Sequence, residues 1–141
     1  MIQLIVGEKG KGKTKHLLDK VNGAANTASG NIVYLDKNSK HMYEIKNSVR
    51  LINASEYPIS NTSEFIGFVC GIVSQDHDLE EVYLDSFLNV AFISDPDTEL
   101  DEVLGKLDKI SEQFKVTFVI SMSVDGAKVP ENFKSSVIVS L

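Results

Sequence analysis

The segment Gly7-Glu8-Lys9-Gly10-Lys11-Gly12-Lys13-Thr14 follows the apolar run Ile2-Gln3-Leu4-Ile5-Val6 without a break, and it constrains the chain more than any other stretch. It meets every fixed position of the phosphate-binding loop pattern: glycine, four variable residues, glycine, lysine, then serine or threonine. Such a loop needs glycine because successive backbone N–H groups must turn toward one anion, and a side chain there would clash or forbid the dihedrals. The pattern has meaning only between a strand and a helix. That is its setting here. A β-branched run precedes it, and Leu17, Leu18, Val21, Ala24, Ala25 and Ala28 recur near helical spacing after it, predicting a helix from Lys13 to about Ala28. In this geometry Lys13 reaches the β- and γ-phosphates of a nucleotide triphosphate, Thr14 offers its hydroxyl to Mg²⁺, and the helix points its positive end at the phosphates. Gly7, Glu8, Lys9, Gly10, Lys11, Gly12, Lys13, Thr14 and Lys15 are the expected nucleotide-binding residues. The dinucleotide fingerprint Gly-x-Gly-x-x-Gly does not fit, since the glycines fall at 7, 10 and 12.

A chain of 141 residues is expected to be one domain, residues 1–141, with a core that needs no metal or disulfide staple. Its single cysteine, Cys70, lies in the apolar stretch from Phe65 to Val73 and is expected to be a buried free thiol. No basic segment followed by an apolar stretch opens the chain, and no apolar run approaches membrane-span length, so a soluble, cytoplasmic protein is expected. The net charge of −6 argues against a broad footprint on nucleic acid. Lys9, Lys11, Lys13 and Lys15 do cluster, but in and beside the phosphate loop, where neutralising one triphosphate is their simplest use. His16, His41 and His77 are scattered without metal-ligand spacing.

Downstream, strands and helices alternate. Ser29-Gly30-Asn31 ends the first helix, and Ile32-Val33-Tyr34-Leu35 reads as a strand buried on both faces. Asp36 to Ser48 is polar and long for a connection, either a hairpin excursion or an ordered loop. It leaves the carboxyl end of a strand, the edge where open α/β sheets bind ligands, which brings Lys37, Lys40, His41 and Tyr43 within reach of a substrate or partner. Val49 to Ala54 predicts a short strand. Asn61-Thr62-Ser63-Glu64 predicts a capped start for a broadly apolar helix through Val73. After Val82-Tyr83-Leu84-Asp85-Ser86-Phe87, Asp95 or Asp97 caps an amphipathic helix whose stripe Leu100, Val103, Leu104, Leu107, Ile110 and Phe114 is expected in the core. Lys115 to Ser121 and Ser136 to Leu141 are the last strands. The result is an α/β fold: a three-layer α/β/α sandwich around a mainly parallel sheet.

An apolar strand ending in Asp is what a phosphate-loop protein needs at a second position, because Mg²⁺ takes a carboxylate beside the threonine hydroxyl. Val82-Tyr83-Leu84-Asp85 supplies it, so Thr14 and Asp85 are the expected Mg²⁺ residues and Lys13 and Asp85 the expected catalytic pair. With these residues the chain resembles the RecA-like, additional-strand division of P-loop NTPases, since a strand–helix pair lies between the loop strand and the Asp-ending strand. The resemblance implies a P-loop NTPase fold with the Lys115-to-Ser121 strand inserted between those two. It also implies that Ser121 occupies the place of a γ-phosphate sensor. The chain is similar as well to small stand-alone bacterial P-loop proteins of uncharacterised function.

Two departures temper the catalytic expectation. Active members commonly carry a Glu directly after the strand aspartate, whereas Asp85 is followed by Ser86-Phe87. Glu80 and Glu81 fall at the opposite end of that strand, expected to be solvated or paired with lysines, and Glu8 is the remaining water-positioning candidate. The only arginine is Arg50, a surface residue by position. Three readings follow: a Mg²⁺-dependent ATP- or GTP-binding protein with slow NTPase activity; a nucleoside or small-molecule kinase, by a layout similar to thymidine kinase without its zinc-binding lasso and catalytic Glu; and a nucleotide-regulated interaction module without turnover. ATP is preferred because the guanine signature Asn-Lys-x-Asp does not occur. A protein partner or a homo-oligomer stays open.

Overall fold

The strand that leads into the glycine loop is β1 (Ile2–Val6), and in the computed structural model, which describes residues 1–141, it is paired on both sides within a six-stranded sheet. Along the chain follow α1 (Lys13–Thr27), β2 (Asn31–Asp36), β3 (Arg50–Asn53), α2 (Thr62–Ser74), β4 (Leu79–Leu84), α3 (Phe87–Val90), α4 (Pro96–Phe114), β5 (Thr117–Met122) and β6 (Val137–Ser140). The strand order is β3-β2-β4-β5-β1-β6. Every neighbouring pair is parallel, so the sheet is not mainly but wholly parallel. β5 lies between β1 and β4, the insertion that the resemblance implied.

Side chains alternate between the two faces of each strand, and each face is covered. Ile5, Tyr34, Tyr83 and Val119 meet Leu17, Leu18 and Val21 of α1 on one face. Leu4, Val6, Leu35, Leu84 and Phe118 meet Phe65 and Val69 of α2 and Leu104 and Leu107 of α4 on the other. Coverage of both faces is why the central strands read as unbroken apolar runs. Burying each such Leu or Phe contributes about 1.5–3 kcal/mol. No helix is long and apolar enough to cross a membrane.

Local chemistry sets the helix ends. The Asn61 side chain accepts from the Glu64 N–H at 2.8 Å, and Glu64 Oε1 accepts from the Ser60 N–H at 2.7 Å, so the expected cap is present. Pro96 opens α4, and Lys115 closes it in the left-handed region at φ 57°. Asp36 to Ser48 is an ordered loop and not a hairpin: it holds one 3-10 turn, Met42–Glu44, and buries Ile45. Asn22 of α1 fastens it, donating to the Glu44 carbonyl at 2.7 Å and accepting from the Lys46 N–H at 3.0 Å.

Three expectations are corrected. Cys70 is half-buried, because it lies on α2 outside the buried stripe of Phe65, Val69 and Val73. Phe114, on the last turn of α4, is exposed, having run past the edge of the core. Glu80 and Glu81 lie at the amino end of β4 as expected but pair with no lysine: Glu80 accepts from the Ser29 hydroxyl and the Gly30 N–H, and Glu81 from the Tyr83 hydroxyl. The short helix α3 was not legible beforehand.

Candidate phosphate-loop site

Parallel register assembles the site from residues far apart in sequence. Leu35 pairs with Leu84, and Leu84 with Ile120. The next residues, Asp36, Asp85 and Ser121, therefore stand side by side where the strands end, on the face covered by α1. The first turn of that helix brings Thr14 to the same place.

Asp85 is the hub, at 2 % exposure. Its Oδ1 accepts from the Ser121 hydroxyl at 2.6 Å, the Ser86 N–H at 2.8 Å and the Thr14 hydroxyl at 3.3 Å. Its Oδ2 accepts from the Tyr34 hydroxyl at 2.7 Å. A buried carboxylate is tolerated only with such satisfaction. Tyr34 is itself fixed by stacking on Tyr83, centroids 6.2 Å apart. Its phenol is held well above its ordinary pKa, first by burial and then by the charge of Asp85, so it acts as a donor throughout the physiological range.

A hollow of about 350 Å³ opens beside this cluster. The loop residues Lys9, Gly10, Gly12, Lys13 and Thr14 form one wall. Lys37, from the start of the loop after β2, forms a second, and Asp85, Ser86, Leu88 and Asn89 a third, with Ser121, Met122 and Ser123 completing it. Gly10 and Gly12 both have φ +87°, a conformation strained for any other residue. Gly7, at φ +152°, is required for a second reason: a Cβ there would lie 3.0 Å from Leu141 Cβ and 3.1 Å from the Leu141 carbonyl oxygen. The final residue thus seats against the loop, its N–H donating to Val6 O at 2.9 Å.

Lys13 is 9 % exposed, and its ammonium donates to the Glu8 carbonyl at 3.0 Å. Burial lowers its pKa, and Asp85 opposes that shift. Asp36, at 3 % exposure, accepts from the Lys37 N–H at 2.7 Å. Its pKa is raised, chiefly by burial and then by Asp85, while Lys37 and His41 pull the other way. Ser86 adopts φ 53°, a left-handed conformation that costs a non-glycine residue about 1–2 kcal/mol. Strain of this kind collects at functional sites.

Of the residues expected from sequence, Lys9, Gly10, Gly12, Lys13, Thr14, Asp85 and Ser121 come together around one hollow. Gly7 lies beneath the loop, and Glu8 contributes its carbonyl while its side chain faces solvent. Lys11 is exposed, and Lys15 turns along α1 to Asp19 at 3.5 Å. Of the loop residues, Lys37 reaches the hollow and Tyr43 stands in solvent. His16 and His77 are exposed, and no group of three or more His, Cys, Asp or Glu side chains gathers as a metal cluster. Sequence reasoning missed Tyr34, Asp36, Ser86 and Asn89. The first two sit in an apolar strand whose polar atoms gain meaning only through the register with β4.

No family model matches the chain, and no curated protein matches it in sequence. Among solved structures, the KaiC-like protein of the hyperthermophilic archaeon Pyrococcus horikoshii OT3 superimposes with a TM-score of 0.67 at 17 % identity, over 95 % of this chain and 67 % of that one. With its six parallel strands and the glycine loop after β1, this chain has the KaiC/RecA-like P-loop fold.

Proposed function

We propose that residues 1–141 form one nucleotide-binding domain that takes a Mg²⁺–nucleoside triphosphate, ATP before GTP, in the hollow between the glycine loop and Asp85, and hydrolyses it slowly. One observation carries this reading: the Lys13 ammonium, the Thr14 hydroxyl and the Asp85 carboxylate converge on the same 350 Å³ space, rimmed by backbone at Gly10 and Gly12. On binding, Lys13 exchanges the Glu8 carbonyl for phosphate oxygens. An ammonium already stripped of some of its water interacts more strongly with an anion than a fully exposed one does.

The donor set suits Mg²⁺. Thr14 Oγ1 and Asp85 Oδ1, 3.3 Å apart, are a pair of hard oxygens, and Mg²⁺ is commonly held by one or two protein oxygens plus phosphates and water instead of an all-protein cage. The ion would neutralise phosphate charge there. Ser121, tied to Asp85, lines the same hollow, where its hydroxyl would be available to a bound phosphate.

Slow turnover follows from what flanks Asp85. Ser86 offers no carboxylate to orient a water, and Arg50 sits at the amino end of β3, across the sheet from the carboxyl-end hollow. An arginine or equivalent cation at such a site contributes about 10³–10⁵ in rate.

A thermal-shift panel of ATP, GTP and ADP, each with and without Mg²⁺, tests the binding. A ligand at 100 times its dissociation constant adds about 2.7 kcal/mol to native stability. The largest upward shift is expected for ATP with Mg²⁺, and no shift with any nucleotide would overturn the reading. Phosphate release from ATP that Lys13→Ala abolishes would establish the turnover; equal release by the variant would reject it.

A further inference from the structure

A second and larger hollow, about 710 Å³, lies on the opposite face of the sheet at its β3 edge, remote from the glycine loop. Its volume falls within the usual range for small-molecule sites. Val33 and Ile52 form the floor, and Gly67, Phe68, Gly71 and Ile72 of α2 form the wall. Because α2 runs back across parallel strands, the hollow has two unlike ends. Tyr57 and Phe68, with ring centroids 4.9 Å apart, make an aromatic end. At the other end are Arg50, Asn31, Ser48, Gln75 and Asp76.

Two features of this hollow have no use in the fold. The side chain of Arg50, the only arginine, makes no hydrogen bond and no ion pair, whereas both oxygens of Asp76 are already engaged, one by the Asn31 side chain and one by the Asp78 N–H. Asp76 keeps its charge, but its oxygens are taken by neutral donors, so the charged group with free hydrogen-bonding capacity at this end is Arg50. Gly67 and Gly71, one helical turn apart, are costly inside a helix compared with alanine. Neither has positive φ, and a Cβ added at either would meet nothing within 4 Å. Packing and backbone conformation do not require them. Gly23 and Gly105 in the other helices are equally unobstructed, but at 67 and 71 the missing side chains border the hollow and leave its wall open.

We propose that this hollow binds a small amphipathic anion, with its carboxylate, sulfonate or similar head on Arg50 and its apolar body lying along Ile52 and Ile72 toward the Tyr57–Phe68 end. From Gly67 to Gln75 the helix wall extends roughly 12 Å at its usual rise per residue, which limits the body to about that length. The site is independent of the nucleotide reading, since it shares no residue with the phosphate-loop hollow.

The probe is 1-anilinonaphthalene-8-sulfonate, titrated into the native full chain and followed by fluorescence. Saturable binding at one site per chain is expected. Arg50→Gln should weaken it about tenfold, and Gly71→Leu, which fills the hollow from an unobstructed helical position, should abolish it. Arg50→Gln should keep the far-UV circular dichroism and thermal midpoint of the parent, and Gly71→Leu should keep the circular dichroism and melt no lower, since leucine favours a helix over glycine. Octanoate should displace the dye, and octylamine, a cation of equal length, should not. Absence of saturation, equal affinity in all three proteins, or displacement by octylamine as well as octanoate would each overturn the proposal. A dimer in solution that Gly71→Leu dissociates would overturn it in favour of a second copy of the chain.

Discussion

The Tyr34 hydroxyl donates to Asp85 Oδ2 across 2.7 Å, and the bond determines which way the carboxylate faces. With Oδ2 held inside the sheet, Oδ1 is the oxygen directed to Thr14 and Ser121. A tyrosine in one strand thus orients an acid at the end of the next.

Tyr34→Phe removes that donor and leaves a buried carboxylate oxygen unpaired. The expected loss is about 1–3 kcal/mol, read as a lower urea midpoint with an unchanged slope. If the nucleotide reading holds, the Mg²⁺ dependence of ATP binding shifts in this variant while metal-free ATP affinity stays at the parent value; a purely structural role would leave the metal dependence unmoved.

Lys13→Met separates binding from stability. Folding takes some of the water from the Lys13 ammonium, at a cost that its lowered pKa records and Asp85 partly offsets, and methionine fills a similar volume without charge. The ligand-free variant should melt higher than the parent by about 2 °C, the order expected from a change below 1 kcal/mol in a chain of this size. The shift induced by ATP and Mg²⁺ should vanish. A lower melting temperature would contradict the burial argument.

Asp36 carries a pH signature. Its folded pKa is raised, so the native state holds the proton more tightly than the unfolded chain does. Its contribution to stability is then fullest below the ordinary aspartate pKa of about 3.9 and is lost as pH rises through the raised value. Asp36→Asn keeps the acceptor for the Lys37 N–H and removes the charge. It should raise the melting temperature at pH 7 by about 2–4 °C, with the gain shrinking as the pH is lowered toward 4. A gain constant with pH would point to some cause other than titration.

Gly7→Ala and Gly10→Ala form an informative pair. Both positions have positive φ, but only the first would press a Cβ against Leu141. Gly10→Ala should cost about 1–2 kcal/mol from backbone strain alone, and Gly7→Ala more, by chemical denaturation. Equal losses would mean that the last residue yields freely.

Asn61→Ala removes the cap of α2, whose side chain accepts from the Glu64 N–H. A loss of about 1 kcal/mol is expected. Asn61→Asp should recover most of it at neutral pH, because aspartate presents the same acceptor.

Local chemistry made much of this protein legible. The glycine loop, its lysine and threonine, the alternation of strand and helix, and the Asn61 cap each depend on residues within a few positions of one another, and short-range sterics and hydrogen bonding suffice to specify them. Even the insertion of β5 between β1 and β4 was implied by the family that the loop and Asp85 resemble. The site's interior was a different matter. Tyr34, Asp36 and Ser121 become partners or neighbours of Asp85 only through parallel register, which is set by apolar side chains packing across two layers of helix. The left-handed turn at Ser86, the seat of Leu141 against Gly7 and the open hollow beside Arg50 likewise depend on contacts between distant segments. No spacing along the chain encodes such contacts one by one, because they form together when the sheet closes under its helices.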